Sequence, residues 1–408
     1  MNPRLNPPLI VFLLLAAFVL SACAPGQTPP PDSSPVPERT SEPESSALSE
    51  PSTLLEGDEP PPAGAASQFR TDFSKRTVPY SEILSGGPPK DGIPSIDNPQ
   101  FVSVNEADEW LAAVEPIVLI RVGDEARAYP IQILMWHEIV NDTLGGLPLL
   151  VTFCPLCNTA IAFEREFDGQ TLDFGTTGRL RFSNLIMYDR QTESWWQQAT
   201  GDAIAGEYAG SQLNFYPASI ISWADFKSAY PDGAVLSLDT GHSRPYGNNP
   251  YLGYDDVDQS PFLYRGLPTP GQLVPMARVL TLDLGGEAVA YPYDILSSVN
   301  LVNDMVGGQR VVVFWAEGTA SALDTAKILE GRNVGATVAY SAEVDGQTLT
   351  FEFSNGVFRD KETGSEWDIL GRALSGTLKG AQLTELPAIN HFWFSWAAFR
   401  PETRIYAP

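Results

Sequence analysis

The sequence predicts a mainly β (α+β) fold, made of two tandem duplicated β-rich modules with short helices. The first observation is a repeated motif: VNDTLGG at 140–146 returns as VNDMVGG at 302–308. The second is an identical pentapeptide, DGQTL, at 168–172 and 345–349. The third is the surrounding pattern of short apolar runs separated by Gly and Asp-Gly turns, which is typical of β-hairpins. The shared order of these motifs indicates duplication followed by divergence.

Residues 1–22 predict a bacterial lipoprotein signal peptide. One positive charge, Arg4, precedes an apolar run from Leu9 to Leu20, and the sequence LSAC then ends at Cys23. This pattern is typical of a lipobox, in which the cysteine receives a diacylglyceryl group. An uncleaved membrane anchor is the alternative, but a spanning helix needs about 20 apolar residues and this run is shorter. We therefore expect an extracytoplasmic protein, lipid-anchored through Cys23 to a membrane of the bacterial cell envelope.

Residues 23–66 hold the lipidated cysteine and a stretch rich in Pro, Ser and Glu. Such a composition cannot bury enough apolar surface to offset the entropy of ordering the chain. The sequence therefore predicts a disordered linker between the membrane and the folded part.

The first module is expected at 67–236. The run 115–130 is interpreted as a hairpin, 131–136 as a short helix or turn, and 147–153 as a buried strand. A further short helix is expected near Trp223.

A connecting loop rich in Gly, Pro and Tyr follows at 237–275, with His242 and Arg244 in it. A loop of this length either covers a site or is a solvated linker, which is the simpler interpretation. The second module, 276–408, repeats the hairpins and ends in a short helix near Trp396. His391 precedes that aromatic run and is interpreted as structural.

The chain has a formal net charge of −25. A surface this anionic repels the phosphates of nucleic acids and anionic lipid headgroups. We therefore expect no nucleic-acid partner, and contact with the membrane only through the lipid on Cys23. Electrostatics favours a bound cation, although solubility alone also explains the acidity.

Only the first module carries the cysteine motif CPLC, at Cys154 and Cys157, whereas Ala316 stands where Cys154 would be. The second module also lacks His137, whose counterpart is Val299. Residues that are lost together are candidates for one shared site. The sequence therefore predicts a metal or redox site formed by His137, Cys154 and Cys157.

Two thiolates and an imidazole suit Zn²⁺ or copper, with water or Glu138 completing the coordination. A first alternative is a non-catalytic cell-surface binding or scaffold lipoprotein, in which the pair forms a structural disulfide. A second alternative is a thiol-disulfide oxidoreductase, since labile disulfides are the functional ones. A thioredoxin fold is disfavoured, because no helical apolar period follows Cys157.

Other polar residues are sorted by the same comparison between modules. Residues present in both modules are assigned to turns, caps and packing: Asn141, Asp142, Asp189, Thr192, Ser194 and Trp196. Residues that differ are candidates for the second shell of the site: Glu138, Met187, Tyr188 and Gln198. Among the latter, Met187 could act as a soft metal ligand.

Four segments resemble the bacterial and archaeal family of domain of unknown function 3179: HEIVND at 137–142, FCPLC at 153–157, MYDRQT at 187–192 and NPY at 249–251. The resemblance covers about 79 to 408. It implies a protein that is often secreted or lipid-anchored, and it implies no substrate. His242 stands where the family pattern usually has an aromatic residue, which argues against His242 as a required ligand.

Overall fold

The structure is a computed structural model that describes residues 53–266 and 272–408. Strands hold 40% of the residues and helices 12%, which confirms the mainly β prediction. The predicted signal peptide, Cys23 and most of the predicted linker lie outside the described residues. Within the described residues, no helix is both long and apolar enough to cross a membrane.

Short strands dominate the first half of the fold, residues 67–236. Its strands are Ile83–Ser85, Phe101–Ser103, Pro116–Val122, Glu125–Pro130, Ile139–Leu144, Leu147–Cys154, Thr159–Glu164, Glu166–Phe167, Gln170–Thr171, Phe174–Arg181, Asn184–Asp189, Trp195–Gln197, Ala203–Ala205, Phe215–Tyr216, Ser219–Ser222 and Ala234–Leu236. Between residues 53 and 236 the α-helices are Ala65–Gln68, Val104–Ala107, Ile131–His137 and Trp223–Ala229, and the 3₁₀ turns are Tyr80–Glu82 and Pro155–Cys157.

The second half, residues 276–408, is built in the same way. Its strands are Arg278–Leu284, Glu287–Pro292, Leu301–Val306, Gln309–Ala316, Ala336–Ser341, Glu343–Val344, Gln347–Thr348, Phe351–Ser354, Val357–Asp360, Glu366–Trp367, Ala373–Ser375, Ile389–Phe392 and Arg404–Ile405. Its α-helices are Tyr293–Val299 and Trp393–Ala397, with a 3₁₀ turn at Ile328–Glu330.

Both halves follow one order: a hairpin, a seven-residue helix, three antiparallel strands and a four-stranded antiparallel meander. In the first half the three strands pair in the order Ile139–Leu144, Leu147–Cys154 and Thr159–Glu164. In the second half Leu301–Val306, Gln309–Ala316 and Ala336–Ser341 pair in that order. A common origin of the halves stays a prediction from the sequence.

The turns that the sequence marks are formed in both halves. The Gly-Gly turns at 145–146 and 307–308 have positive φ at both residues, between 55° and 82°. This geometry joins two strands with the correct twist and favours glycine. The DGQTL segments form the two small hairpins Glu166–Phe167 with Gln170–Thr171, and Glu343–Val344 with Gln347–Thr348. The Asp-Gly hairpin prediction is therefore confirmed.

The motifs shared by both halves make the same hydrogen bonds twice. The indole Nε1 of Trp196 donates to Asp189 at 2.9 Å, and that of Trp367 donates to Asp360 at 2.9 Å. The side-chain amide of Asn141 donates to the carbonyl oxygen of Phe174 and accepts from its backbone N–H, both at 2.9 Å. In the second half, Asn303 holds Phe351 at the same distances. These residues fix adjacent strands, which agrees with the scaffold role predicted for them.

The two halves, as far as the structure describes them, belong to one compact unit. Glu385 of the second half accepts hydrogen bonds from Arg121 at 2.8 Å and from Ser219 at 2.6 Å. His391 shares a hydrogen bond with Thr159 of the first half at 3.0 Å. Burial lowers the pKa of this histidine to about 3, so it is neutral at neutral pH. The halves therefore share a core, and one apolar cluster contains strand residues of both.

The folded part begins earlier than the predicted linker boundary at residue 66. The backbone N–H of Leu55 donates to Arg76, and the Glu59 carboxylate accepts the backbone N–H groups of Tyr80 and Ser81. Ala65 is fully buried. Residues 55–66 are thus held mainly by polar contacts. Their low content of apolar residues therefore did not indicate that they belong to the folded part.

The connecting segment, residues 237–275 without 267–271, packs on the fold. Tyr246, Tyr251, Tyr254 and Tyr264 lie against the largest core cluster of the first half. The buried Asp255 forms ion pairs with Arg278 at 2.6 Å and Arg332 at 2.8 Å. The segment therefore covers part of the first half while its ion pairs tie it to the second, so it is not a solvated linker.

Candidate functional site

The CPLC motif forms one tight turn between two buried strands. The strand Leu147–Cys154 ends, Pro155–Cys157 makes a single 3₁₀ turn, and Asn158 closes it with φ of 51°. Pro155 at the first position of the turn has its φ preset, and Asn tolerates the left-handed conformation better than most residues. Cys154 then pairs across the ladder with Thr159. Because the turn is this short, both sulfur atoms lie on the same side of it.

The two thiols are buried and unbridged, and they lie close to each other. Cys154 is 2% exposed and Cys157 is fully buried, and neither is part of a disulfide. Both sulfurs lie near the carbonyl oxygen of Ser183, that of Cys154 at 3.9 Å and that of Cys157 at 3.5 Å. Burial, with smaller effects of Cys157 and Glu138, raises the pKa of the Cys154 thiol well above its usual value. Cys154 is therefore a thiol, not a thiolate, at neutral pH in this conformation.

The hairpin that carries Ser183 is unusual. Phe182 and Ser183 have φ of 53° and 68°, in a turn that the second half makes with Asn355 and Gly356. Asn-Gly is the pair that such a turn favours, and a bulky residue with positive φ is an outlier. The first half therefore carries backbone strain where its chain contacts the cysteines.

An amide network holds the far side of the pair. The amide Nδ2 of Asn184 donates to the Cys157 sulfur at 3.4 Å and to the Gln198 oxygen at 2.7 Å. Gln198 in turn donates to the Thr152 hydroxyl at 3.0 Å and to the Thr159 carbonyl at 3.2 Å. Gln198, a predicted second-shell residue, is thus linked to Cys157 through Asn184, by two hydrogen bonds.

Glu138 is the acidic group next to the pair. Its backbone ends the helix Ile131–His137, and its carbonyl accepts from the N–H of Phe153, the residue before Cys154. Glu138 as a whole is 8% exposed, and no hydrogen bond to its carboxyl group is found within the described residues. This burial raises the pKa of Glu138 to about 8. Glu138, another predicted second-shell residue, is thus close enough to influence the ionisation of Cys154.

Met187 and Tyr188 lie on opposite faces of one strand, Asn184–Asp189. Met187 is fully buried in the cluster that contains both cysteines. Tyr188 points into a different cluster and donates to Asp91 at 2.5 Å. Since successive side chains of a strand alternate, only Met187 of these two shares the apolar surroundings of the cysteines.

His137 has a separate set of contacts. Its Nδ1 lies 2.8 Å from the carbonyl oxygen of Pro94, and its Nε2 lies 2.7 Å from the hydroxyl of Tyr246. A carbonyl can only accept, so Nδ1 carries the proton and Nε2 accepts from Tyr246. Burial lowers the pKa of His137 to about 4, which keeps the ring neutral at neutral pH. His137 therefore holds the connecting segment to the first half.

The structure brings Cys154, Cys157, Glu138, Met187 and Gln198 together, but it directs the ring of His137 to Pro94 and Tyr246. In residues 53–266 and 272–408, no three His, Cys, Asp or Glu side chains are grouped to hold a metal ion. The Zn or Cu site built from His137 and both cysteines stays a prediction.

The same connecting segment lies over the histidine and the cysteines. Tyr246 contacts His137, and Tyr251 lies near both Glu138 and Cys154. Tyr254 lies near both sulfurs, and its hydroxyl accepts the N–H of Phe262 at 3.1 Å. Burial raises the pKa of both Tyr251 and Tyr254. The histidine and the two cysteines therefore lie under the same segment.

A cleft between the halves reaches the residue after Cys157. It has an empty volume of about 320 Å³, including solvent at its mouth. Asn158, Arg278 and Thr319 are among its polar lining residues, and Ile131, Ile220 and Val334 among the apolar ones.

Residues 90–403 match the protein family described as "Protein of unknown function (DUF3179)". The chain belongs to the DUF3179 family. No curated protein and no solved structure matches this DUF3179 chain. The family match confirms the resemblance carried by the HEIVND, FCPLC, MYDRQT and NPY segments, all of which lie within the matched residues.

Sequence reasoning missed four contributors to the site of this DUF3179 protein: Ser183, Asn184, Tyr251 and Tyr254. The first pair had a signal, since Phe182-Ser183 replaces Asn355-Gly356 in otherwise matching hairpins. The tyrosines lie in a segment without a copy in the second half, so the comparison of the halves gave them no signal.

Proposed function

We propose that this chain is a lipid-anchored extracytoplasmic protein whose first half carries a redox-active dithiol, Cys154 and Cys157. The observation that carries the proposal is the position of two buried, unbridged cysteines on one short turn, with both sulfurs near the carbonyl oxygen of Ser183. Two cysteines whose sulfurs approach the same carbonyl group need little backbone movement to form a disulfide. A disulfide closing so short a loop adds little stability, which favours a role in electron transfer over a role in stiffening.

The burial of the pair restricts what it can react with. At 2% and 0% exposure, neither sulfur is reachable by a folded protein substrate in this conformation. Tyr251 and Tyr254 of the connecting segment lie near the pair, so we expect that exchange requires this segment to move. We therefore propose that low-molecular-weight thiols and disulfides are the substrates, and that a partner protein needs an extended segment to enter.

The test is the reversibility of the disulfide in the full chain. Protein equilibrated in mixtures of reduced and oxidised dithiothreitol, then alkylated and weighed by mass spectrometry, should pass from two free thiols to one Cys154–Cys157 disulfide. Cys154→Ser should lose the transition and leave Cys157 as a lone thiol. A pair that never oxidises, or that cannot be reduced without unfolding the protein, would contradict the proposal.

The second candidate is an inert pair in a non-catalytic binding or scaffold lipoprotein. The complete burial of Cys157 favours it, because buried cysteines are usually unreactive. This candidate predicts a single redox state that mild reductants and oxidants leave unchanged. Elemental analysis of protein isolated from its native envelope distinguishes the predicted metal site from the redox-active pair and from the inert pair. Zn or Cu that is present in the wild type and lost in Cys154→Ser would support the metal site.

The membrane anchor is tested independently. Cys23→Ala should prevent lipidation, so the protein should leave the membrane fraction while its dithiol chemistry remains the same.

A further inference from the structure

We infer that the second half is the gate of the cysteine pair. Residues 317–335, which we call the clamp loop, stand in the second half where the first half has its cysteine turn, and they hold the connecting segment closed over Cys154 and Cys157. Control of access to the pair is an addition to the proposed dithiol function and rests on it. Four features carry this role: the position of the clamp loop, its packing, its hydrogen bonds to the connecting segment and the cleft that it borders.

The position of the clamp loop follows from the strand pairing of the two halves. In the first half Cys154 pairs with Thr159, so residues 155–158 join the two strands. In the second half Ala316 pairs with Ala336, so residues 317–335 join the equivalent strands. A longer loop costs more conformational entropy to close, and its contacts must offset this cost. The second half therefore carries an extended loop in place of the cysteines, and the contacts of this loop need an explanation.

The clamp loop packs on the first half. Leu323 and Ile328 are fully buried, and both belong to the apolar cluster of the first half that contains Phe153, the residue before Cys154. The backbone N–H of Ala320 donates to the carbonyl of Val114 in the first half at 2.8 Å. The clamp loop is thus docked beside the strand that carries the cysteine turn.

Backbone hydrogen bonds join the clamp loop to residues 247–254 of the connecting segment. Such bonds do not depend on side chains, and they run along the contact instead of holding it at one point. They are Ile328 N–H to the Gly247 carbonyl at 3.0 Å, Asn249 N–H to the Ala326 carbonyl at 3.0 Å, Gly253 N–H to the Asp324 carbonyl at 2.7 Å and Tyr254 N–H to the Leu323 carbonyl at 3.1 Å.

Asp255 fastens the end of this contact. Its side chain is fully buried and accepts hydrogen bonds from the Ser321 hydroxyl and from Arg332, the latter at 2.9 Å, both in the clamp loop. Arg332 also donates to the backbone carbonyl of Asp255 at 2.9 Å. Hydrogen bonds between charged groups are about twice as strong as neutral ones. Because Arg278 also pairs with Asp255, at 2.6 Å, replacing Arg332 loosens the clamp loop without leaving the buried carboxylate unpaired.

Tyr254 connects the clamp loop to the surroundings of the sulfurs. Its N–H is bonded to the clamp loop, and its hydroxyl accepts the N–H of Phe262 at 3.1 Å. The carbonyl of Phe262 accepts the hydroxyl of Ser183 at 2.5 Å. The carbonyl oxygen of Ser183 in turn lies 3.9 Å from the Cys154 sulfur and 3.5 Å from the Cys157 sulfur. Release of the clamp loop therefore frees a residue whose contacts lead directly to the pair.

The clamp loop also borders the cleft next to the cysteine turn. This cleft, of about 320 Å³, is lined by Asn158, which follows Cys157, and by Thr319, Ala320 and Val334 of the clamp loop. Outward movement of the clamp loop would widen the cleft beside the turn. A low-molecular-weight thiol or disulfide then reaches the pair while both halves stay folded.

The experiment measures alkylation of Cys154 and Cys157 by iodoacetamide in the reduced full-length protein, and amide hydrogen exchange of residues 247–255 and 149–153. Alkylation is followed where its rate is proportional to the reagent concentration, so that it reports the opening equilibrium. Arg332→Gln should speed alkylation and exchange of 247–255 by at least about tenfold, because it removes hydrogen bonds to a charged group. Exchange of 149–153, in the strand that ends at Cys154, should stay at the wild-type rate.

Arg359→Gln is the matched control. The Arg359 side chain is 40% exposed, against 44% for Arg332, and it pairs with Glu366 at 2.6 Å between two strands of the second half. This variant should leave alkylation and the exchange of 247–255 unchanged. Alkylation of Arg332→Gln at the wild-type rate would overturn the role of the clamp loop. Faster exchange of 149–153 by the same factor as alkylation would also overturn it, since access would then come from unfolding.

Alkylation does not require the pair to be redox-active, so the two proposals fail separately. A pair that is alkylated as expected but does not oxidise reversibly would overturn the dithiol function and leave the role of the clamp loop in place.

Discussion

Replacing Glu138 by Gln should stabilise the protein at neutral pH and flatten the pH dependence of its stability. Burial raises the pKa of Glu138 from 4.5 to about 8. Below pH 4.5 the carboxyl is protonated in both the folded and the unfolded states, so its ionisation changes nothing. Between pH 4.5 and 8 the folded state retains a proton that the unfolded state has lost. The free energy of unfolding therefore falls by about 1.4 kcal/mol per pH unit across this window.

At pH 7 the accumulated loss is about 3 kcal/mol, from 2.5 pH units at about 1.4 kcal/mol each. Gln keeps the shape of Glu but does not ionise. No hydrogen bond of the carboxyl is found within the described residues, so the substitution removes none of these. Urea denaturation in the presence of a thiol reductant, at pH 5 and pH 7, measures the effect. Between these pH values the unfolding free energy of the wild type should fall by about 2.5 kcal/mol more than that of Glu138→Gln.

Glu115→Gln is the control for this measurement. Glu115 is also buried, but its carboxylate accepts hydrogen bonds from the Ala112 backbone and from Gln132, both at 2.9 Å. An amide cannot accept both, so this variant should be less stable than the wild type. If the difference in unfolding free energy between the wild type and Glu138→Gln is the same at pH 5 and pH 7, the reasoning from burial is refuted.

Three further predictions follow from contacts elsewhere. Tyr246→Phe removes the hydrogen bond to His137, so amide exchange in 246–254 and alkylation of the cysteines should speed up; unchanged rates would refute the covering role of the segment. Replacing residues 182–183 by Asn-Gly should raise stability by about 1 kcal/mol in thermal unfolding, because it relieves the positive φ, and a lower midpoint would contradict this. Asp189→Asn and Asp360→Asn should destabilise the protein equally, by about 1–3 kcal/mol each, while exchange of the dithiol stays intact.

The fold was largely predictable because its signals are local. Gly-Gly and Asp-Gly turns, apolar runs and the helices near Trp223 and Trp396 depend on residues close in sequence, and each was formed as expected. The early start of the folded part was not predictable. It depends on Glu59 meeting the backbone of Tyr80 and Ser81, a polar contact without periodicity.

The membership of the site stays a prediction, and its geometry could not be predicted. Comparing the halves grouped Cys154 and Cys157 and added Glu138 as a neighbour, because a difference between equivalent positions needs an explanation other than the shared scaffold. The same comparison grouped His137 with them, although its ring faces Tyr246. Two arrangements explain why the second half lacks both His137 and the cysteines: the residues bind one metal ion, or they lie under the same covering segment. The sequence alone could not distinguish these two arrangements.

The connecting segment also has a consequence for how the protein matures. The chain leaves the ribosome with the cysteine turn complete long before Arg278 and Arg332 are available to pair with Asp255. Until those arginines arrive, nothing from the second half anchors Tyr251 and Tyr254 over the sulfurs. During synthesis the cysteine pair is therefore not yet covered in this way, and completion of the second half closes access to it.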